Sequence, residues 1–193
     1  MNYSAMDVYK EAPVFENESF LLRLLQRQDA EDLLKVYSDE KSVPLFNSDN
    51  CNGDTFYYGT LERVHKAIDM WEMSYRHRYF VRWSIVDKRE NAVIGTIELF
   101  HRDAEDYFHN CGLLRLDLRS DYETGSDITE ILNLIVPVIY DLFYCDKIAT
   151  KVVSIATERA KALKQMGFMP SDEKVRGHDG SEYGDYFVKF RNK

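Results

Sequence analysis

One stretch constrains the fold of this chain more than any other. Ile128, Ile131, Leu132, Ile135, Val138, Ile139, Leu142 and Phe143 recur at helical spacing and cover more than one face of the helix they define. A helix apolar over that much of its circumference has to be packed at the centre of a domain. The spacing predicts it over 127–144, with Pro137 kinking it. Residues 112–118 before it and the β-branched run 148–155 after it read as strands. A helix joining two strands of one sheet is the usual crossover of a parallel pair. The stretch from Ile131 to Tyr144 is interrupted by Asn133, Pro137 and Asp141 and is too short to span a bilayer.

The other elements fall around this unit. Residues 20–25 read as a first strand. Asp29 is placed to cap a helix whose apolar face is Ala30, Leu33, Leu34 and Tyr37. A polar loop from 44 to 53 leads to a second helix carrying Val64, Ala67, Ile68, Trp71 and Tyr75. Tyr79, Val81, Trp83 and Ile85 alternate with Phe80, Arg82, Ser84 and Val86 in a strand that turns at 87–91 into a second hairpin arm, 92–100. A last helix over 156–166 ends at Gly167, where a left-handed residue is wanted. Tyr186, Val188 and Phe190 alternate in a last strand. The order β-α-α-β-β-β-α-β-α-β describes an α/β domain with a mixed sheet, without the regular alternation of a doubly wound fold.

The chain has 193 residues, which is the size of one domain: 19–193, preceded by an arm over 1–18 that shows no clear period and is free to lie loose. Hydrophobic residues make up 45%, enough to build a core and to exclude intrinsic disorder. The formal net charge of −8 argues against a broad basic nucleic-acid surface and mildly favours a cationic substrate. Cys51, Cys111 and Cys145 are three, far apart and without a C-x-x-C pair, so neither a disulfide framework nor a zinc site is expected. His101, His109 and Cys111 match no metal-ligand spacing, and no metal is expected. The N-terminal residues lack an apolar leader, and a cytoplasmic protein is expected, with no membrane or nucleic-acid partner, as a monomer or homodimer.

Four segments, in this order and spacing, resemble the GNAT superfamily of N-acetyltransferases. They are Leu21-x-Arg23 with Asp29-Ala30-x-x-Leu33; Ile94-Gly95-x-Ile97; Tyr122 through Glu130; and Leu163-x-x-x-Gly167-Phe168. The tail Val175-Arg176, Gly180 and Asp185-Tyr186 points to the branch of ribosomal-protein N-terminal acetyltransferases, RimJ/RimL-like. The resemblance covers about 19–190. It implies a mixed, mostly antiparallel central sheet with one parallel strand pair splayed apart, flanked by helices.

It also implies acetyl-CoA as co-substrate, with the amine of a small molecule or a protein N-terminus attacking the thioester directly. Backbone N–H groups of the strand 114–118, with Leu116, Asp117 and Leu118 the cofactor-binding residues, would hold the pantetheine arm and polarise the thioester carbonyl. The loop Glu123, Thr124, Gly125, Ser126, Asp127 and Ile128 would receive the pyrophosphate at a helix N-terminus. That loop departs from the family pattern Q/R-x-x-G-x-G/A. Glu123 and Asp127 bring negative charge, each costing about 3 kcal/mol against a phosphate some 5 Å away. Ala156 stands where the family has an Asn, and residues 161–165 hold no Tyr to protonate the leaving thiolate, a role left to Ser154 or Thr157.

Glu98, on the central hairpin, is the expected base for the attacking ammonium. The same position also suits an ordinary paired strand carboxylate. Trp83 and Tyr57 are candidates to line the acceptor pocket, with plain packing the alternative for each. Two readings of function stand at this point: an acetyl-CoA-dependent N-acyltransferase, and a non-catalytic module of the same fold that binds a CoA-like ligand or a partner.

Overall fold

A computed structural model describes Tyr3 and residues 6–191. Among them, eight strands form one sheet and a two-stranded hairpin stands beside it. Along the chain the strands of the large sheet are β1 (Phe15–Glu16), β2 (Phe20–Leu24), β3 (Val81–Asp87), β4 (Ala92–Arg102), β5 (Cys111–Leu118), β6 (Lys147–Lys151), β7 (Met169–Ser171) and β10 (Tyr186–Phe190). The small hairpin is β8 (Val175–Arg176) with β9 (Glu182–Tyr183). The order across the large sheet is β1-β2-β3-β4-β5-β6-β10-β7. Every neighbouring pair is antiparallel except β5 with β6. The mixed sheet and the parallel pair expected around the apolar helix are both present.

Four helices cover the sheet. α1 (Ala30–Tyr37) and α2 (Leu61–Arg76) pack on one face, where Leu33, Val36, Tyr37, Val64, Ile68 and Trp71 meet Val86 and Val93. α3 (Gly125–Leu142) and α4 (Thr157–Gln165) lie on the other, where Ile128, Ile131, Ile135, Ile139 and Leu163 meet Trp83, Ile97, Leu99, Leu114 and Leu116. A third, smaller core joins Phe108, Cys111, Leu113, Ala149, Val175, Tyr186 and Val188 at the β5–β10 end. The wide apolar circumference of α3 is buried as its sequence demands, and the helix continues through Pro137.

Local expectations meet the structure with four adjustments. α3 starts two residues earlier than predicted, because the Thr124 hydroxyl accepts the Asp127 N–H and sets the cap there. Asp29 occupies the cap position of α1 without a side-chain cap bond. Its carboxylate is drawn instead to Arg23, at 2.6 and 2.9 Å, and to the Ser84 hydroxyl, at 2.6 Å. β6 ends at Lys151 rather than 155, since the Val152 N–H turns to the Asp185 carbonyl at 2.7 Å. Within residues 6–18, the expected arm packs down: Val8 and Phe15 are buried, β1 pairs with β2, and the Trp83 indole donates to the Pro13 carbonyl at 2.9 Å. Gly167, at φ +85°, closes α4 as read from sequence. Its own N–H reaches Lys164 and that of Phe168 reaches Leu163, the two bonds of a Schellman end.

Candidate active site

The parallel ladder of β5 with β6 runs from Cys111↔Lys147 to Leu114↔Thr150 and stops. β5 continues for four more residues, paired with β4 alone. The sheet therefore parts between β5 and β6, and the backbone edge of 115–118 faces the gap. The N-terminus of α3 begins seven residues after β5 ends.

The chain's own side chains fill that gap. Arg159, the third residue of α4, is 2% exposed and reaches from the α3–α4 face into the opening. Its Nη1 donates to the Leu116 carbonyl at 2.9 Å and to the Leu45 carbonyl, on the segment between α1 and α2, at 3.2 Å. Nε and Nη2 donate to the two carboxylate oxygens of Glu123, each at 2.7 Å. Four of the five guanidinium N–H groups are thus engaged. At the mouth of α3 stands Glu158, whose carboxyl is held below its ordinary pKa by Lys161 foremost. A Cβ at Gly125 would lie 3.2 Å from Glu158 Oε2.

From the other face, the loop between α1 and α2 closes over the parting. Asp49 is buried; its carboxylate takes Lys151 Nζ at 2.7 Å and the Tyr186 hydroxyl at 2.9 Å, and its carbonyl takes Arg115 Nη2 at 2.8 Å. Beneath that loop runs a buried polar stripe on the α1–α2 face of the sheet. Arg82 pairs with Glu98 and, at 3.2 Å, with Asp117; Arg115 pairs with Glu98 at 3.2 Å; the Tyr37 hydroxyl donates to Asp117 at 2.8 Å. Trp71 lies 4.2 Å from the Arg82 guanidinium carbon. Burial lifts the Asp117 carboxyl, Arg82 and Tyr37 pull it back, and the net direction is upward.

These contacts change several expectations. Glu98 is 2% exposed and held between two guanidinium groups, with no open path to an incoming amine, so it is a charge-balancing residue and its expected part as a base is not what this geometry offers. Glu123 does not project over the α3 N-terminus; its charge is spent on Arg159, and the repulsion expected between Glu123 and a phosphate is cancelled. Ser154 lies exposed in the turn after β6 rather than on the strand. Trp83 is fully buried on the α3 face under residues 13–15, in the core and not in the acceptor pocket. Tyr57 is 49% exposed on the loop before α2. Asp117 turns its side chain to Tyr37, and the Leu116 carbonyl accepts Arg159 Nη1. Leu118 and Ile128 point into the main core. Thr124 caps α3, and Ser126 and Asp127 both engage the Thr124 hydroxyl, at 3.0 and 2.7 Å.

Sequence reasoning missed Arg159 and Asp49. For Arg159 a signal was present: Ala156, Arg159, Ala162 and Leu163 share one helical face, so an arginine stands in an apolar stripe and must find a buried anion.

Coenzyme A needs two things from such a site: N–H groups at a helix start for its phosphates and a strand edge for its pantetheine amides. Both are built into this chain. In this conformation the Leu116 carbonyl of that strand edge accepts Arg159 Nη1.

Residues 19–169 match the family described as Acetyltransferase (GNAT) domain. The Bacillus subtilis (strain 168) protein named uncharacterized N-acetyltransferase YoaA is 23% identical over 161 residues, covering 81% of this chain and 82% of that one. Among solved structures, ribosomal-protein-S5-alanine acetyltransferase from Vibrio fischeri superposes with a TM-score of 0.68 at 17% identity, over 94% of this chain and 98% of that chain. Spermidine N-acetyltransferase from Vibrio cholerae, in complex with CoA and spermine, superposes with a TM-score of 0.61 at 13% identity, over 90% and 96%. The parted β5–β6 pair, the helix that starts beside it and the family match over most of the chain agree, and the chain belongs to the GNAT acetyltransferase family.

Proposed function

We infer that this protein transfers the acetyl group of acetyl-CoA to a primary amine, on a small molecule or a protein N-terminus, in the cytoplasm. The observation that carries the reading is the gap between β5 and β6, with the Leu116 carbonyl turned into it and the α3 N-terminus alongside. When bound, acetyl-CoA supplies an activated acyl group. The residues of this chain would do the rest. The first N–H groups of α3 bind phosphate, and the 115–118 edge orients the pantetheine arm. Asp49, which already holds the Lys151 ammonium and accepts the Tyr186 hydroxyl at the head of the gap, is the anion an amine would meet. Cys111 and Cys145 are not used as nucleophiles. Burial pushes the Cys111 thiol up to about 12 and the Cys145 thiol up to about 11, so neither is a thiolate at neutral pH.

The filled gap favours a second reading, a non-catalytic module of the same fold. One measurement separates them. Acetyl-CoA at 100 times its Kd is expected to stabilise the native state by about 2.7 kcal/mol and to raise Tm by several degrees. Incubation with acetyl-CoA and a panel of primary amines, followed by mass spectrometry, should then show acetylated product. No shift in Tm at millimolar acetyl-CoA, with no product, would leave the non-catalytic module.

A further inference from the structure

We propose that Arg159 and Glu123 form a latch that closes the coenzyme channel, and that the coenzyme enters only after the guanidinium has left the β5–β6 gap. The proposal rests on the acyl-transfer reading above, because it takes the 115–118 edge as the coenzyme's path.

Three observations place the latch. Arg159 comes from α4 and bonds the Leu45 carbonyl of the segment between α1 and α2, whose Leu45 side chain packs with the α3–α4 core, so its guanidinium ties that segment to α4 beside the parting. It donates to the Leu116 carbonyl, on the strand edge turned toward the gap. A pantetheine amide N–H that uses this carbonyl and a guanidinium 2.9 Å from it would compete for one space. Glu123 supplies the hold: a bidentate carboxylate, its side chain 9% exposed and anchored one residue before the Thr124 cap of α3.

The closed state is held by charge-assisted bonds with little water around them. It is also held at one side chain only. Arg159 stands in the first turn of α4, directly after the turn 153–156, whose Ser154 and Ile155 are exposed. Rotation of its long side chain requires no rearrangement of the sheet. An open groove of about 560 Å³, lined in part by Gly125, Ser126, Thr129, Glu158 and Lys161, runs between α3 and α4. A guanidinium displaced from the gap leaves the Leu116 carbonyl free to accept.

The test is binding of coenzyme A itself, by calorimetry, to the wild-type chain and to the double variant Arg159→Met with Glu123→Gln. Removing both charges leaves no lone buried ion. A Kd at least tenfold lower in the double variant supports the latch. Equal Kd values overturn it and leave the acyl-transfer reading standing. Binding to neither chain overturns both. Stopped-flow mixing of wild-type protein with increasing coenzyme A gives a second answer that needs no variant. A latch that opens first makes the observed rate level off, whereas a rate rising linearly to millimolar coenzyme shows an open channel and overturns the proposal.

Discussion

Asp87 shows how one carboxylate holds a turn. It ends β3 and accepts the N–H groups of Arg89 and Glu90 at 2.7 and 3.1 Å, the Arg89 guanidinium at 3.0 Å and the Tyr122 hydroxyl at 2.9 Å. Burial pulls its pKa upward, but these donors outweigh it and hold the group at about 2 against an ordinary 3.8. A carboxyl depressed in the folded state contributes stability above its unfolded pKa and loses it as pH falls through the folded one. The shift is worth about 2 kcal/mol at neutral pH. Asp87→Asn is therefore expected to be destabilised by about that amount in urea unfolding at pH 6, with the difference fading between pH 4 and pH 2. A deficit that stays constant down to pH 2 would show that shape and not charge is what Asp87 contributes. The Glu98 cluster teaches the complementary point. The place of Glu98 on the central hairpin suited a base or a paired strand carboxylate, and two arginines from the neighbouring strands made it the paired anion.

At the level of elements, the β3–β4 hairpin carries an irregularity between Ile85 and Val86, where Ile85 faces Gly95 and Val86 faces Val93. One residue on β4, Ile94, is left over, and parity changes across it. Ile94, Ile97 and Leu99 all reach the α3 core, while Thr96 and Glu98 turn to α1 and α2. Alternation made the strands legible but not the face on which Glu98 would fall, because a bulge depends on the partner strand. Gly95 sits at this point for a reason the motif did not state. A Cβ there would strike the Asp117 carbonyl oxygen and come within 2.8 Å of Leu118 Cδ2. Gly95→Ala is expected to cost about 1–3 kcal/mol by forcing β4 and β5 apart, read as a lower urea midpoint with an unchanged m-value. An unaltered midpoint would mean that the strands separate there at no cost.

Across the whole molecule, residues 6–18 act as a cover rather than an arm. Tyr75 donates to the Val8 carbonyl at 3.0 Å, Arg78 pairs with Asp7 at 3.0 Å, and Phe15 packs against Trp83 with ring centroids 6.3 Å apart. These contacts tie the N-terminal segment to α2 and to β3 together. A chain beginning at Val14 is expected to lose at least about 2 kcal/mol, from the uncovered Val8 site and the missing indole acceptor. Its tryptophan emission should shift to the red as Trp83 meets water. Full retention of Tm and emission would return the segment to the status of a loose arm. The segment was unreadable as structure because its hydrogen bonds to α2, Arg78 and β3 reach 67 to 71 residues along the chain and follow no period of their own.

What the sequence determined by itself is what local physics encodes. The wide apolar circumference of α3, the period of α2, the alternation of β3 and β10 and the glycine after α4 each act within a few residues, and each element lies where those signals put it. The parallel β5–β6 pair was also readable, because a single apolar helix joins its strands. Only the tertiary structure decided which charges meet. Glu123 finds Arg159 across 36 residues, Asp49 finds Lys151 across 102, and Glu98 finds Arg82 and Arg115 from strands on either side. A buried charge must have a partner, but nothing in its own neighbourhood of sequence says which one. That is why the fold could be read from the chain while the side chains that fill the β5–β6 gap could not.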